Sequence, residues 1–133
     1  MLDEVVIDLS KYRMTKALED LDTSEILFKN RKYSQSINRS YYAMFHAVRA
    51  LLAFDKFDSK KHSGIISYFN TKYVKSGIFE VEYSKMLTTA FKIRNDSDYK
   101  DFYIITRQDS YLQLNNAKKF IPRIKEYIES KYK

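Results

Sequence analysis

The 133-residue chain contains no cysteine and no tryptophan, and it has only two glycines and one proline. Without cysteine it can form no disulfide, which fits a reducing compartment. The scarcity of glycine and proline argues against a β-rich fold, because hairpin turns depend on Gly and similar turn residues. A chain of this length is expected to form one domain, over residues 1–133, with a substantial core.

Long apolar runs are also missing. The uninterrupted apolar stretches fall far short of the roughly 20 residues that a membrane-spanning helix needs. The first ten residues, MLDEVVIDLS, are acidic and lack the cationic start of a secretory signal. We therefore expect a soluble, cytoplasmic protein with no membrane association. The formal net charge of +7 favours an anionic partner, such as RNA or an acidic protein surface.

Residues 34–54, SQSINRSYYAMFHAVRALLAF, are the most informative segment. Wound as a helix, this segment places its large apolar side chains on one broad arc, as in a mostly buried helix. These are Ile37, Tyr41, Met44, Phe45, Val48, Leu51 and Leu52. A second arc carries polar side chains beside the small residues Ala50 and Ala53, and it is typical of the wall of a polar site. Its members are Arg39, Tyr42, His46 and Arg49. The alternative is that the arginines are solvated, Tyr42 is half-buried and His46 is a core histidine.

The residues before this helix predict a short apolar arm, 1–9, of unassigned structure and a first helix over 10–30. Residues 31–32 then form a tight connection, so the second helix is expected to return antiparallel to the first. After the second helix, Ser59 is a suitable N-cap for a third, shorter helix that ends near Gly77.

Two further helices complete the prediction. The fourth covers residues 81–96 and is followed by a polar, aromatic link over 98–106. The last starts near Asp109 or Ser110 and presents an apolar seam suited to antiparallel packing. The seam consists of Leu114, Ala117, Ile121, Ile124 and Ile128, and Pro122 is expected to kink the helix or to remove one hydrogen bond. The fold class that follows is an all-α antiparallel bundle of four to five helices.

A second informative segment begins at Arg94, which continues the inward face of the fourth helix. A buried arginine is costly unless it is paired, because the guanidinium does not lose its proton. Asp98, one turn further on, is one possible partner, and a bound phosphate is another. The alternative is an ordinary Arg94–Asp98 ion pair at a helix end.

Three segments together resemble HEPN-domain proteins, in particular the small stand-alone type that is often encoded beside a minimal nucleotidyltransferase. They are Ser40–Ala47 preceded by Arg39, then Lys61–Gly64, then Arg94-Asn95 with Asp98-Tyr99. The resemblance covers roughly residues 10–131. HEPN domains are helical bundles that commonly form dimers, and their active members are metal-independent endoribonucleases. The resemblance therefore implies a homodimer, a nucleotidyltransferase-type antitoxin as partner, and RNA as substrate.

The family motif is an arginine, often followed by a polar residue, with a histidine a short distance further on. Arg94 and Asn95 match it, but Tyr99 occupies the histidine position and no histidine follows His62. Arg94 can hold phosphate oxygens with its planar fork, and Asn95 can orient them. Tyr99 is a poor base at neutral pH because a phenol has a pKa of about 10. His46 is then the substitute candidate, provided that the second helix faces the fourth.

The candidate catalytic residues are thus Arg94, Asn95, Tyr99 and His46, with Arg39, Tyr42 and Asp98 as binding residues. We expect Arg39, Tyr42 and His46 to line the same cleft as Arg94, Asp98 and Tyr99. No metal site is expected, because the two histidines are not spaced as a ligand pair, and no cofactor is expected, since no Gly-rich phosphate loop is present.

Three functions remain open from the sequence. The first is a ribonuclease toxin restrained by a nucleotidyltransferase, and the second is a non-catalytic HEPN module that binds RNA, a nucleotide or that partner. The third is a structural protein whose polar stripe only stabilises a dimer. Some family members are silenced by transfer of AMP to a tyrosine beside the motif, and Tyr99 is the modification candidate here.

Overall fold

The computed structural model describes residues 3–133, and these form five α-helices. They are α1 (Glu4–Lys29), α2 (Tyr33–Leu52), α3 (His62–Phe69), α4 (Val81–Tyr99) and α5 (Arg107–Tyr132). Residues 3–133 contain no strand, which confirms the predicted all-α bundle. Across the same range, no helix combines the length and the apolar character needed to cross a membrane.

The first helix begins at Glu4, so the predicted start at residue 10 is wrong. The side chain of Asp3 accepts a hydrogen bond of 2.9 Å from the amide of Val5 and caps the helix, and Glu4 lies in the first turn. Both residues stabilise a helix start, because they satisfy an unpaired amide and complement the positive end of the helix dipole. Residues 4–9 of the predicted arm are therefore helical, and residues 1–2 lie outside the described residues.

Helices α1 and α2 pack antiparallel, as predicted. The hydroxyl of Ser10 donates to the carbonyl of Ala50 over 2.8 Å, near one end of the pair. Near the other end, Ser24 lies 3.0 Å from the Ser36 hydroxyl and 2.6 Å from the Ser40 hydroxyl. All four serines are fully buried. Small hydroxyl side chains let the two helices approach closely while satisfying their own polar atoms.

Helix α2 lies at the centre of the molecule and contacts α1, α3, α4 and α5. The seven residues of its predicted apolar arc are buried, and so is the whole predicted seam of α5. Pro122 lies within α5, on its exposed side. Because proline has no N–H, it removes one backbone hydrogen bond, at a place where water can reach the freed carbonyl.

The third helix starts at His62. The prediction that Ser59 caps this helix is wrong, because the N-cap position is occupied by Lys61. The hydroxyl of Ser59 instead accepts a hydrogen bond of 3.2 Å from the amide of Lys61, which is the residue preceding the helix. After α3 the chain makes one wide helical turn over Asn70–Val74 and then turns at Gly77. Gly77 has a φ of 90°, a conformation that side-chain-bearing residues rarely adopt, so the predicted stop at this glycine is confirmed.

Helix α4 continues to Tyr99, beyond the predicted end at residue 96, which shortens the link to residues 100–106. Arg94 and Asp98 are therefore one turn apart on a continuous helix. Helix α5 begins at Arg107, earlier than predicted, because Thr106 and Asp109 form a capping box. The Thr106 hydroxyl accepts from the Asp109 amide over 3.1 Å, and the Asp109 carboxylate accepts from the Thr106 amide over 3.0 Å.

Candidate active site

A cleft of about 620 Å³ opens where α2, the start of α3 and the end of α4 meet. Its wall consists of Tyr42, Lys61, His62, Ser63, Phe91, Arg94, Asn95, Asp96, Tyr99 and Lys100. The cleft, called the Arg94 cleft below, thus joins three segments that are far apart in the sequence. Arg94, Asn95, Tyr99 and Tyr42 were predicted site residues, and the structure brings these four together.

The guanidinium of Arg94 is held by three neighbours. One terminal nitrogen donates to the Asn95 side-chain oxygen and the other to the Tyr42 hydroxyl, each over 2.9 Å. The Nε atom is 3.1 Å from Asp98, an ion pair whose N–H is not aligned for a hydrogen bond. The guanidinium also lies over the rings of Tyr41 and Tyr42, at 5.5 and 5.2 Å from their centres.

This arrangement leaves donors on Arg94 for a ligand. A guanidinium has five N–H groups, and each terminal nitrogen has one hydrogen left after its bond to Asn95 or Tyr42. The Arg94–Asp98 ion pair that the sequence allowed is therefore present, and it does not exhaust the arginine. A rigid, partly buried guanidinium with a free hydrogen on each terminal nitrogen can bind two phosphate oxygens.

The charge around the Arg94 cleft is mostly positive. Lys61 and Lys100 line it beside Arg94. Asp96, the acidic residue in the wall, is paired with Lys92 at 2.8 Å and with Lys100 at 3.3 Å. Hydrogen bonding from Lys92 lowers the pKa of Asp96, so its negative charge is retained and compensated. An anion is thus the ligand that this surface favours.

His62 is a cleft residue that the sequence prediction did not include among the candidate site residues. Its Nδ1 lies 2.8 Å from the hydroxyl of Tyr41, and its ring stacks on Phe45 with 4.2 Å between ring centres. Burial lowers the pKa of His62, and the nearby Arg94 and Arg49 lower it further. His62 lies in the Lys61–Gly64 segment of the family resemblance, but the family motif predicts its histidine after Arg94.

Arg39 and Asp98 border a second pocket of about 480 Å³, next to the Arg94 cleft. Arg39 donates to Asp20 over 3.0 Å and to Asn38, and its guanidinium lies 5.0 Å from the centre of the Tyr42 ring. The Tyr42 ring therefore contacts both Arg39 and Arg94. Asp98 lines the second pocket and is paired with Arg94, so it connects the two sites without lining the Arg94 cleft.

His46 does not line either pocket, and the expectation that it joins Arg94 is wrong. Its Nε2 faces α1, 3.7 Å from the carboxylate of Asp20. Burial is the main cause that lowers the pKa of His46 to about 4, with nearby cations adding to it. At about 100° per residue, His46 and Arg39 differ in direction by roughly 20°, whereas Tyr42 lies about 40–60° away and faces α4. The polar arc of α2 thus faces two helices, because Arg39 and His46 contact α1 whereas Tyr42 contacts α4.

Tyr99 lies on the rim of the Arg94 cleft with 76% of its surface exposed. The link that follows is also exposed and aromatic, and Phe102, with a φ of 59°, is fully exposed. The structure thus places the modification candidate where a large partner can reach it, one helical turn beyond the guanidinium of Arg94.

The sequence model of the HEPN domain matches residues 10–127 of the chain. The protein belongs to the HEPN family. The match includes α2, α3 and α4, which form the Arg94 cleft, and it agrees with the resemblance in the Arg39–Ala47, Lys61–Gly64 and Arg94–Tyr99 segments.

Two relatives illustrate the similarity within the family. A Methanocaldococcus jannaschii protein named "Putative toxin MJ0605" is 33% identical over 113 residues, covering 85% of this chain and 84% of the relative. A Thermotoga maritima protein named UPF0332 protein is 32% identical over 119 residues, covering 90% of each. Among solved structures, ST0689, an archaeal HEPN homologue, superposes with a TM-score of 0.72 at 20% identity. The superposition covers 90% of this chain and 97% of ST0689, and it shows that the two share the HEPN fold.

Proposed function

We propose that this HEPN protein is the toxin of a nucleotidyltransferase–HEPN toxin–antitoxin pair and that it acts as a metal-independent endoribonuclease. The observation that carries the proposal is the fixed guanidinium of Arg94 in an open, positively charged cleft, with a free hydrogen on each terminal nitrogen. A phosphodiester bound there gains charge-assisted hydrogen bonds that strengthen as negative charge develops in the transition state.

Asn95 and Tyr42 support the same role. Both accept hydrogen bonds from Arg94 through oxygen atoms, so they fix the guanidinium without competing for an anion. The amide nitrogen of Asn95 keeps two N–H donors, which can orient a phosphate oxygen. Lys61 and Lys100 line the same cleft and add positive charge that attracts the phosphates of an RNA strand.

The exposed tyrosines on the rim and in the link that follows α4 favour single-stranded RNA over a duplex. Tyr99 and Tyr103 present rings on which unpaired bases can stack, and such stacking does not depend on the base. In a symmetric homodimer, which the family resemblance implies, two Arg94 clefts would double the positive charge at a shared groove.

The name of the Methanocaldococcus relative supports the toxin part of the proposal. A toxin that cleaves cellular RNA needs a restraining partner, and the family resemblance implies a nucleotidyltransferase in this role. Its acidic active site, with paired metal-binding carboxylates, would complement the net charge of +7 on this chain.

A second candidate function is a non-catalytic HEPN module that binds RNA, a nucleotide or the nucleotidyltransferase through the same cleft. The observation that favours it is Tyr99, which stands where the family motif has a histidine. A tyrosine in this place binds and stacks but is a weak base at neutral pH.

The deciding experiment is an assay of the purified protein on a labelled RNA pool in excess chelator. We expect cleavage by the wild type and its loss in Arg94→Ala. Arg107→Ala is the matched control, because Arg107 is an exposed arginine that stacks on Phe28 and does not line the cleft. Cleavage that Arg94→Ala retains, or that the chelator abolishes, would contradict the ribonuclease proposal. RNA binding without cleavage would favour the non-catalytic module.

A further inference from the structure

The proposed reaction needs a group that accepts the proton of a ribose 2′-hydroxyl, and neither residue expected for this role fits it. Tyr99 is 76% exposed, and a phenol in water is protonated at neutral pH. His46 lies outside the Arg94 cleft, against Asp20. The other histidine of the chain, His62, lines the cleft together with Arg94.

We propose that His62 is the acid–base residue of the Arg94 cleft and that the buried Tyr41 hydroxyl positions its ring. This inference rests on the proposed ribonuclease function and adds to it the residue that moves the proton.

The ring of His62 is held from two sides. Its Nδ1 is 2.8 Å from the hydroxyl of Tyr41, and its face stacks on Phe45 at 4.2 Å. Tyr41 is fully buried, so the Nδ1 edge points into the protein. The Nε2 atom is on the other edge of the imidazole, and no hydrogen bond to it is formed by residues 3–133. Nε2 is therefore the nitrogen available to a substrate in the cleft.

Tyr41 also brings His62 and Arg94 together. The guanidinium of Arg94 lies 5.5 Å from the centre of the Tyr41 ring, and the His62 ring centre lies 5.8 Å from it. The two functional side chains thus contact the same buried ring and line the same cleft. A phosphodiester bound by Arg94 would therefore lie in the same cleft as the imidazole.

The surroundings keep His62 in the form that a base requires. Tyr41 and Tyr42 pack against its ring, and the cations Lys61, Lys100 and Arg94 line the same cleft. The acidic residue of the cleft wall, Asp96, is paired with Lys92 and Lys100. Burial, together with Arg94 from α4 and Arg49 from α2, holds the pKa of His62 below its ordinary value, so the imidazole is neutral at neutral pH.

The Tyr41 hydroxyl fits the proton transfer on both sides of the step. Burial raises the pKa of Tyr41, so the hydroxyl stays protonated and uncharged. It can accept a hydrogen bond from Nδ1–H, which leaves a lone pair on Nε2, and the same bond remains when Nε2 is protonated. A hydroxyl therefore permits the tautomer with a free lone pair on Nε2, and it does not add the negative charge that a carboxylate would add.

In the proposed step, Nε2 of His62 takes the proton from the 2′-hydroxyl while the 2′-oxygen forms a bond to phosphorus. The bond from phosphorus to the 5′-oxygen breaks, and that oxygen takes a proton from water. Arg94 stabilises the charge on the non-bridging oxygens. The products are a 2′,3′-cyclic phosphate and a 5′-hydroxyl end, and His62 returns its proton to solvent.

The test compares His62→Gln with His46→Gln, the same change at the histidine outside the cleft. On labelled RNA in excess chelator, we expect His62→Gln to lower the single-turnover rate by about 10²–10⁴-fold. We expect His46→Gln to stay within about twofold of the wild type. Tyr41→Phe keeps the ring and removes the hydroxyl, and it should lower the rate by about threefold to tenfold while leaving RNA affinity unchanged.

A measurement on the wild type keeps the proposal testable if a variant fails to fold. The pH–rate profile should have an acidic limb whose midpoint equals the pKa of His62 from NMR titration, with the signal assigned through His46→Gln. Arg94-dependent cleavage that survives in a folded His62→Gln, or an acidic limb that does not follow the His62 titration, would overturn this inference alone. Absence of Arg94-dependent cleavage would overturn the proposed function and the role of His62 with it.

Discussion

Tyr42→Phe is the variant that isolates the contact between α2 and α4 at the floor of the cleft. It removes the hydroxyl that accepts a 2.9 Å hydrogen bond from Arg94 and keeps the ring on which the guanidinium lies at 5.2 Å. A hydrogen bond to a charged donor contributes about 1.5–3 kcal/mol when buried. Because Tyr42 is only half-buried, we expect a loss of about 1–2 kcal/mol in the free energy of unfolding.

For a chain of 133 residues, the unfolding entropy near the midpoint is roughly 0.28 kcal/mol per kelvin, so Tm should fall by about 4–7 °C. Urea unfolding of the wild type, Tyr42→Phe, Arg94→Ala and the double variant would measure the coupling directly. In the Arg94→Ala background, Tyr42→Phe should cost less than about 0.3 kcal/mol. A similar cost in both backgrounds would refute the reasoning, because the hydroxyl would then stabilise the fold without Arg94.

Three further predictions concern modification, assembly and pH. Incubation with the nucleotidyltransferase partner and ATP should add AMP to Tyr99, which mass spectrometry would detect, and the modified protein should bind RNA more weakly in a binding titration. Tyr103→Phe is the control, and a Tyr99→Phe variant modified as fully as the wild type would assign the acceptor elsewhere. Light scattering at micromolar concentration should give twice the 15.9 kDa monomer mass, and a monomer mass would argue against a shared groove. The free energy of unfolding of the wild type should fall as pH drops from about 6.5 toward 4. In the folded protein the pKa of His46 is lowered to about 4. In the unfolded chain its pKa is near the ordinary value of about 6.5, so the unfolded state binds the proton first. Urea unfolding of His46→Gln should show a smaller loss of stability over this pH range. If its stability depends on pH as that of the wild type does, the loss does not come from His46.

Periodicity in the sequence was enough to predict the helices whose apolar faces are broad and regular. The buried arc of α2 and the seam of α5 are set by side-chain spacing alone, so both were predicted correctly. The starts of α1, α3 and α5 were missed, because local side chain-to-backbone contacts determine them. Asp3 caps α1, and Thr106 with Asp109 caps α5. Ser59 binds the amide before α3 and does not cap the helix itself.

For the site, the sequence alone determined the HEPN resemblance, the choice of Arg94 and Asn95 as candidate site residues, and the presence of Tyr99 where the family motif has a histidine. Only the tertiary structure decided which histidine accompanies Arg94. Helical spacing gives the direction of a side chain around its own axis but not the neighbour that it meets. Asp20 of α1 lies opposite His46, and the start of α3 brings His62 to Tyr41 beside Arg94. Contacts between residues 21 and 52 positions apart, Tyr41 with His62 and Tyr42 with Arg94, exist only because the helices pack, and they form the cleft.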